Sequence, residues 1–197
     1  MLNWIRDYVD QHRAVLASLP PEKIQRLIDL ILAAWREDRQ IFVFGNGGSA
    51  ANLSHFATDL GKGASDKLGK RLRILSLNEN VAWMTAIGND YAYEDIFWRQ
   101  LENYARPGDL VFTMSVSGSS PNLVKAVEWS KAHGVATIAL IGAARGRLAA
   151  LAQEVVVIES THYGRVEDAA LMLCHIIAYY LMEQAPALAT VHPKART

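Results

Sequence analysis

Cys174 is the only cysteine in the chain, so no disulfide can form within it, and a small disulfide-stapled scaffold is excluded. A lone thiol among Leu171, Met172 and Leu173 reads as a buried structural group rather than a nucleophile. An excess of one charge is also missing: Lys and Arg total 20, as do Asp and Glu. That balance argues against a nucleic-acid binder that depends on a broad basic face. One local basic cluster remains, Lys62, Lys67, Lys70, Arg71 and Arg73, and it reads as a solvated loop that also holds Ser65. No long apolar run occurs, and the N-terminal Arg6, Asp7, Asp10 and Arg13 fit neither a signal peptide nor a membrane span. Internal repeats, low-complexity tracts and linkers are absent as well. The expectation is a cytoplasmic protein with neither membrane nor nucleic acid as partner.

What is present is enough sequence for one domain with a real core, 197 residues. Residues 3–17 and 21–38 read as amphipathic helices separated by Pro20-Pro21, the second with Ile24, Leu27, Ile28, Ile31, Leu32 and Trp35 on one face. Trp4, Tyr8, Val9 and Leu16 mark the first, and its partner, in this subunit or another, stays open. From residue 40 the pattern changes to short apolar runs at 40–44, 73–77, 110–115, 136–141 and 154–158. Helical stretches at about 48–61, 92–104, 120–133 and 165–185 alternate with them, with shorter ones near 79–86 and 146–152. Continuous apolar strands between helices predict a five-stranded parallel sheet covered on both faces. The fold class is therefore α/β, a flavodoxin-like three-layer αβα sandwich preceded by a helical pair. Residues 1–185 form the domain, and 186–197 read as a flexible tail.

Two serine-bearing turns follow strands and open helices. One is Phe44-Gly45-Asn46-Gly47-Gly48-Ser49, the other Ser115-Val116-Ser117-Gly118-Ser119-Ser120. A helix N-terminus offers unpaired N–H groups and partial positive charge, and glycine lets a ligand approach the backbone. Hydroxyls of Ser49, Ser115, Ser117 and Ser120 add neutral donors, which together suit a phosphate monoester. Gly45, Gly47 and Ala50 also satisfy a loose dinucleotide pattern, with Glu79 as the acidic partner. A dinucleotide site does not call for the second serine turn. Tight strand-to-helix connections with serine caps are the plainer alternative.

His55 and Asp59 lie four apart on the helix after the first turn and share a face, a spacing that fits a divalent ion or an acid/base pair. Glu167 and His175 lie on the last helix, eight residues or about 12 Å of rise apart. They reach one ion only if their side chains lean together; otherwise each serves a different subunit's site. A buried core histidine is the plainer reading of His175.

At these residues the chain resembles the sugar isomerase (SIS) domain family, in its phosphoheptose isomerase branch. The likeness rests on Gly45 to Ser49 followed by His55-Phe56-Ala57, on Ser115 to Ser120, and on Ala86-Ile87-Gly88-Asn89-Asp90. The resemblance implies an aldose–ketose isomerase working through an enediol on sedoheptulose 7-phosphate, as a homotetramer with sites between subunits. It implies metal ligands, often to zinc, at His55, Asp59, Glu167 and His175, with Asp59 and His175 as the acid/base pair. It places Asn46, Gly47, Gly48, Ser49, Asn89, Asp90, Ser115, Val116, Ser117 and Ser120 at the substrate. Four residues depart from the family pattern: Asp59 for glutamate, Glu167 for glutamine, Gly63 for a substrate-contacting arginine, and Gly164 for an aspartate. A non-catalytic relative that binds the bacterial replication initiator resembles the chain at Ser49-Ala50-Ala51-Asn52, so a binding protein is the alternative function.

Overall fold

The computed structural model describes residues 1–189. Its five strands are β1 (Gln40–Gly45), β2 (Arg73–Ser76), β3 (Leu110–Ser115), β4 (Ala136–Gly142) and β5 (Glu154–Ile158), all parallel in the order β2-β1-β3-β4-β5. Each predicted strand is present to within a residue or so. The reason is local: β-branched and aliphatic runs bounded by turn residues have few other uses in a chain of this size.

Alternation along the strands splits the core in two. Ile41, Val43, Leu110, Phe112, Met114, Ile138 and Leu140 face one way, under α2 (Pro21–Arg36), α3 (Gly47–Thr58) and α9 (Tyr163–Glu183). Phe42, Phe44, Val111, Ala139 and Ile141 face the other, under α5 (Val81–Asp90), α6 (Trp98–Tyr104), α7 (Pro121–Ala132) and α8 (Leu148–Leu151). Phe56 of α3 meets Phe112 of β3 at a ring separation of 5.3 Å, and Phe44 stacks on Phe97 at 4.8 Å. Burying one such ring stabilises the fold by about 1.5–3 kcal/mol. The connection from β1 to β2 lies on the first face and those leading from β2 to β3, β3 to β4 and β4 to β5 on the second. Opposite directions along the sheet thus take opposite faces, as a single handedness of crossover requires.

The direction of chain progression reverses between β1 and β3, which are hydrogen-bonded neighbours. Carboxyl ends of strands at such a switch point splay their loops apart and form the usual ligand crevice of open α/β sheets. The two serine turns leave β1 and β3.

Four local expectations change. The helix predicted to stop at 61 continues through a π-helical turn, Asp59–Ala64, into α4 (Ser65–Leu68), and ends at Gly69 in the left-handed conformation (φ 72°). At Gly61 and Gly63, Ile74 and the Met182 methyl group pack where side chains would otherwise stand. Lys62 and Lys67 are therefore helical rather than part of a loop, and Ser65 is buried. The helix predicted over 92–104 divides into a 3₁₀ turn, Tyr93–Asp95, and α6. Of the expected tail, the segment Ala185–Ala189 forms a short helix, α10, with Ala185 and Leu188 buried; the rest of that expectation, 190–197, lies outside the described residues. In α1 (Leu2–Ala17) only Val15 is buried, while Trp4 and Val9 lie exposed.

Candidate active site

Strand β1 ends in Gly45, and Asn46 stands at the N-cap of α3 in extended conformation. Its side chain does not cap the helix. It turns instead across the crevice to Asn122 in the first turn of α7. Asn46 Nδ2 donates to Asn122 Oδ1 at 3.0 Å, and Asn122 Nδ2 donates to Asn46 Oδ1 at 2.8 Å. The amides of Gly47, Gly48 and Ser49 open α3 and have no carbonyl four residues back within the helix.

The second turn is folded around its own hydroxyls. Gly118 N donates to Ser115 Oγ at 3.1 Å, and Ser119 N donates to Ser117 Oγ at 3.3 Å. The two hydroxyls lie 3.5 Å apart, so one can donate to the other, and a hydroxyl that accepts in this way keeps its own hydrogen for a ligand. Gly118 has φ 65°, and a side chain there would run into the Arg145 carbonyl. Ser120 is the N-cap of α7 without using its side chain as a cap, and Pro121 follows at N1. Between the turns lies a pocket of about 60 Å³ lined by Asn46, Ser49, Ser115, Val116, Ser117 and Ser120, together with Met114 and Leu123.

Helix α9 closes that pocket with Tyr163 and Glu167. The Glu167 carboxyl group occupies the place where a side chain at Gly48 would stand, so glycine is what admits it to the first turn of α3. Asn52 Nδ2 donates to the Glu167 carbonyl at 2.8 Å and ties α3 to α9 at this level.

His55 and Asp59 meet His175 further along the same two helices. Nε2 of His55 and Nε2 of His175 are 3.0 Å apart, with their rings edge-on at 83°. Asp59 Oδ2 lies 3.3 Å from His55 Nε2 and 3.8 Å from His175 Nε2. That oxygen is shielded from solvent and accepts no hydrogen bond. Asp59 begins the π turn, a feature that often marks functional positions in helices. One ligand atom from each of the three residues falls within 4.8 Å of the others, the spacing of a metal-binding group. Two imidazole nitrogens and a carboxylate oxygen that is shielded and accepts no hydrogen bond fit a divalent cation. Cys174 lies beside this group, fully buried, and burial, together with the Asp59 charge, pushes its thiol well above the ordinary range. It is the inert structural thiol that its neighbours predicted.

The predicted four-residue metal set thus divides. His55, Asp59 and His175 come together, whereas Glu167 joins the serine pocket, because side chains eight residues apart on α9 stay about 12 Å apart along the axis. Asn89 and Asp90 close α5, exposed and bonded to each other at 2.9 Å, outside the serine pocket. Glu79 lines an open groove of about 690 Å³ beside His55, not the serine pocket. Gly63 faces α9, where the Met182 methyl group fills the side-chain position. At Gly164 the Tyr8 hydroxyl lies 2.8 Å from where a Cβ would be. Sequence reasoning missed Tyr163, Asn122 and Tyr93. Asn122 had a usable signal, an amide two residues after the second turn; the other two had none.

A family model for the SIS domain matches residues 7–142. This chain belongs to the SIS domain family. It is 36% identical over 173 residues to a probable phosphoheptose isomerase of Thermoplasma volcanium, covering 88% of each protein. It is 34% identical over 181 residues to the phosphoheptose isomerase of Geobacter sp. strain M21, covering 90% of this SIS protein and 93% of that one. Among solved structures, phosphoheptose isomerase GmhA from Neisseria gonorrhoeae superposes with a TM-score of 0.84 at 25% identity, over 92% of this chain and 98% of the other. The matched stretch contains both serine turns, His55 and Asp59, while Glu167 and His175 lie beyond its end.

Proposed function

We propose that this SIS protein is an aldose–ketose isomerase acting on sedoheptulose 7-phosphate. The observation that carries the reading is one placement: two hydroxyl-bearing turns at the β1/β3 switch point, flanked by α3 and α9, which together also hold a His-Asp-His group. Names of relatives at 34–36% identity over most of the chain support the substrate class.

The serine hydroxyls and the first amides of α3 bind the phosphate, and that remote contact orients the reacting carbons. Asp59 and His175 form the acid/base pair. One takes the proton from the carbon next to the carbonyl, and the other gives a proton to the carbonyl oxygen, which yields an enediol. Delivery of a proton to the former carbonyl carbon, with loss of the hydroxyl proton on the other enediol carbon to the second member of the pair, completes the shift. His55, Asp59 and His175 would hold a divalent cation, zinc in this reading, which when bound polarises the carbonyl and stabilises negative charge on oxygen.

The site is shared between subunits of a homotetramer. Pocket and triad on one chain are separated along α9, and the surface around His175 carries exposed Tyr179, Tyr180 and Ile176. Helix α1 adds exposed Leu2, Trp4, Ile5 and Val9, an apolar face of the kind that marks protein contacts. Asn89 and Asp90 reach substrate from such a neighbour. No helix among the described residues is long and apolar enough to cross a membrane.

Replacing His175 with Gln and Asp59 with Asn, separately, tests the assignment in an assay of heptose phosphate interconversion. Each should lower kcat by at least about 100-fold. Full activity in both variants sinks it.

A further inference from the structure

Asn122 stands outside every site residue that the sequence pointed to, yet it is only 2% exposed and its amide makes three hydrogen bonds. Its Oδ1 accepts from Asn46 Nδ2 and from Leu123 N, each at 3.0 Å, and its Nδ2 donates to Asn46 Oδ1. The two asparagines form a reciprocal amide pair that ties the N-cap of α3 to the first turn of α7. These are the helices that the two serine turns open. Tyr93 adds a third member, its hydroxyl donating to Asn46 Oδ1 at 3.4 Å.

Tyr93 is held there from the same helix. Lys125 lies three residues beyond Asn122 and so shares its face of α7. Its ammonium group pairs with Asp95, which closes the 3₁₀ turn that begins at Tyr93. Trp98 Nε1 donates to Asp95 Oδ1 at 2.7 Å and Arg99 approaches Oδ2 at 3.7 Å, so the buried carboxylate is gripped from three sides.

We infer that Asn122 is a positioning residue for phosphate binding: through Asn46 it sets the distance between the two hydroxyl-bearing turns, with Tyr93 as the outer brace. The inference rests on the phosphosugar reading above and adds to it a residue that touches no substrate. The physical reason is geometric. Phosphate contacts come from two loops on separate strands, and donors converge on one ligand only if the loops keep their spacing. No backbone hydrogen bond does this, because strand pairing of β1 with β3 stops at Gly45 and Met114. A neutral, doubly bonded side-chain pair supplies the link without adding charge beside an anion. It also occupies most of the Asn46 amide, so Asn46 acts on the ligand chiefly through its place in the turn.

The test is a double-mutant cycle on the full-length protein, read as the dissociation constant of inorganic phosphate by isothermal calorimetry. Asn122→Ser should bind phosphate about three- to tenfold more weakly, Asn46→Ala at least as weakly because it also loses the Tyr93 contact, and the double variant no more weakly than Asn46→Ala, since both single changes remove the same pair. Serine at 122 keeps a hydroxyl to cap Leu123 N but cannot reach Asn46. Zinc binding at His55, Asp59 and His175 should be unchanged in all three, which separates a positioning role from general loss of fold. Wild-type phosphate affinity in Asn122→Ser, losses that multiply in the double variant, or a parallel fall in zinc binding overturns the inference. If the wild type binds neither phosphate nor sugar phosphate, the phosphosugar reading itself fails.

Discussion

His55 Nε2 lies 3.0 Å from His175 Nε2 although 120 residues separate them in the chain. Two imidazole nitrogens at that distance cannot both carry a hydrogen toward each other. Either one proton lies between them or both lone pairs are turned to a cation. The second arrangement predicts that zinc stabilises the protein. At 100 times the dissociation constant, the gain is about 2.7 kcal/mol, read as a rise in melting temperature. His175→Gln should lose most of that rise. An equal rise in the variant would remove His175 from the ligand set.

Glu167 places a carboxylate against the first turn of α3, where the substrate phosphate is expected. Like charges at such a distance repel by roughly 1 kcal/mol where solvent reaches them. Glu167→Gln should therefore bind inorganic phosphate about fivefold more tightly, with zinc affinity held. Unchanged phosphate affinity would show that the carboxylate leaves the turn when the anion enters.

Ser65 and Ser117 separate structural from binding hydroxyls. Ser65 is 2% exposed, donates to the Leu60 carbonyl at 2.8 Å and accepts from Leu72 N at 2.9 Å. Its hydroxyl fastens the π turn to the segment entering β2. Ser65→Ala should cost about 1–3 kcal/mol in urea denaturation with KM held, because Leu72 N is left buried and unpaired. Ser117→Ala should raise KM for the sugar phosphate several-fold with little loss of stability. Ser18→Ala, at the end of α1, serves as the inert control.

Asp95 links pH to stability. Its hydrogen bonds from Lys125 and then Trp98 hold its carboxyl below the ordinary value of 3.8, against the opposing effect of burial. A depressed folded-state value stabilises the protein above the unfolded-state value, and the contribution is lost as pH falls through the folded one. Wild type should therefore lose more stability than Asp95→Asn between about pH 5 and pH 2. Parallel acid curves for the two proteins would show that the Lys125 pair contributes nothing.

Strand positions, the switch-point turns and the His55–Asp59 spacing were legible because each depends on residues close in sequence. Gly45 to Ser49 and Ser115 to Ser120 announce their conformation through glycine and hydroxyl content alone. The π turn was not legible, since glycine has low helix propensity and the packing of Ile74 and Met182 beside Gly61 and Gly63 joins residues distant in sequence. Nor was the Asn46–Asn122 pair, which joins residues 76 positions apart.

Residue order alone determined the layered α/β fold, the phosphate-suited turns and the apolar setting of Cys174, because hydrophobic period, turn chemistry and helix capping act over a few residues. Tertiary structure alone decided that His175 joins His55 and Asp59 while Glu167 enters the serine pocket. Both lie on α9, and its rigid rise of 1.5 Å per residue keeps them apart, so only the docking of that helix on α3 selects which neighbour each one meets.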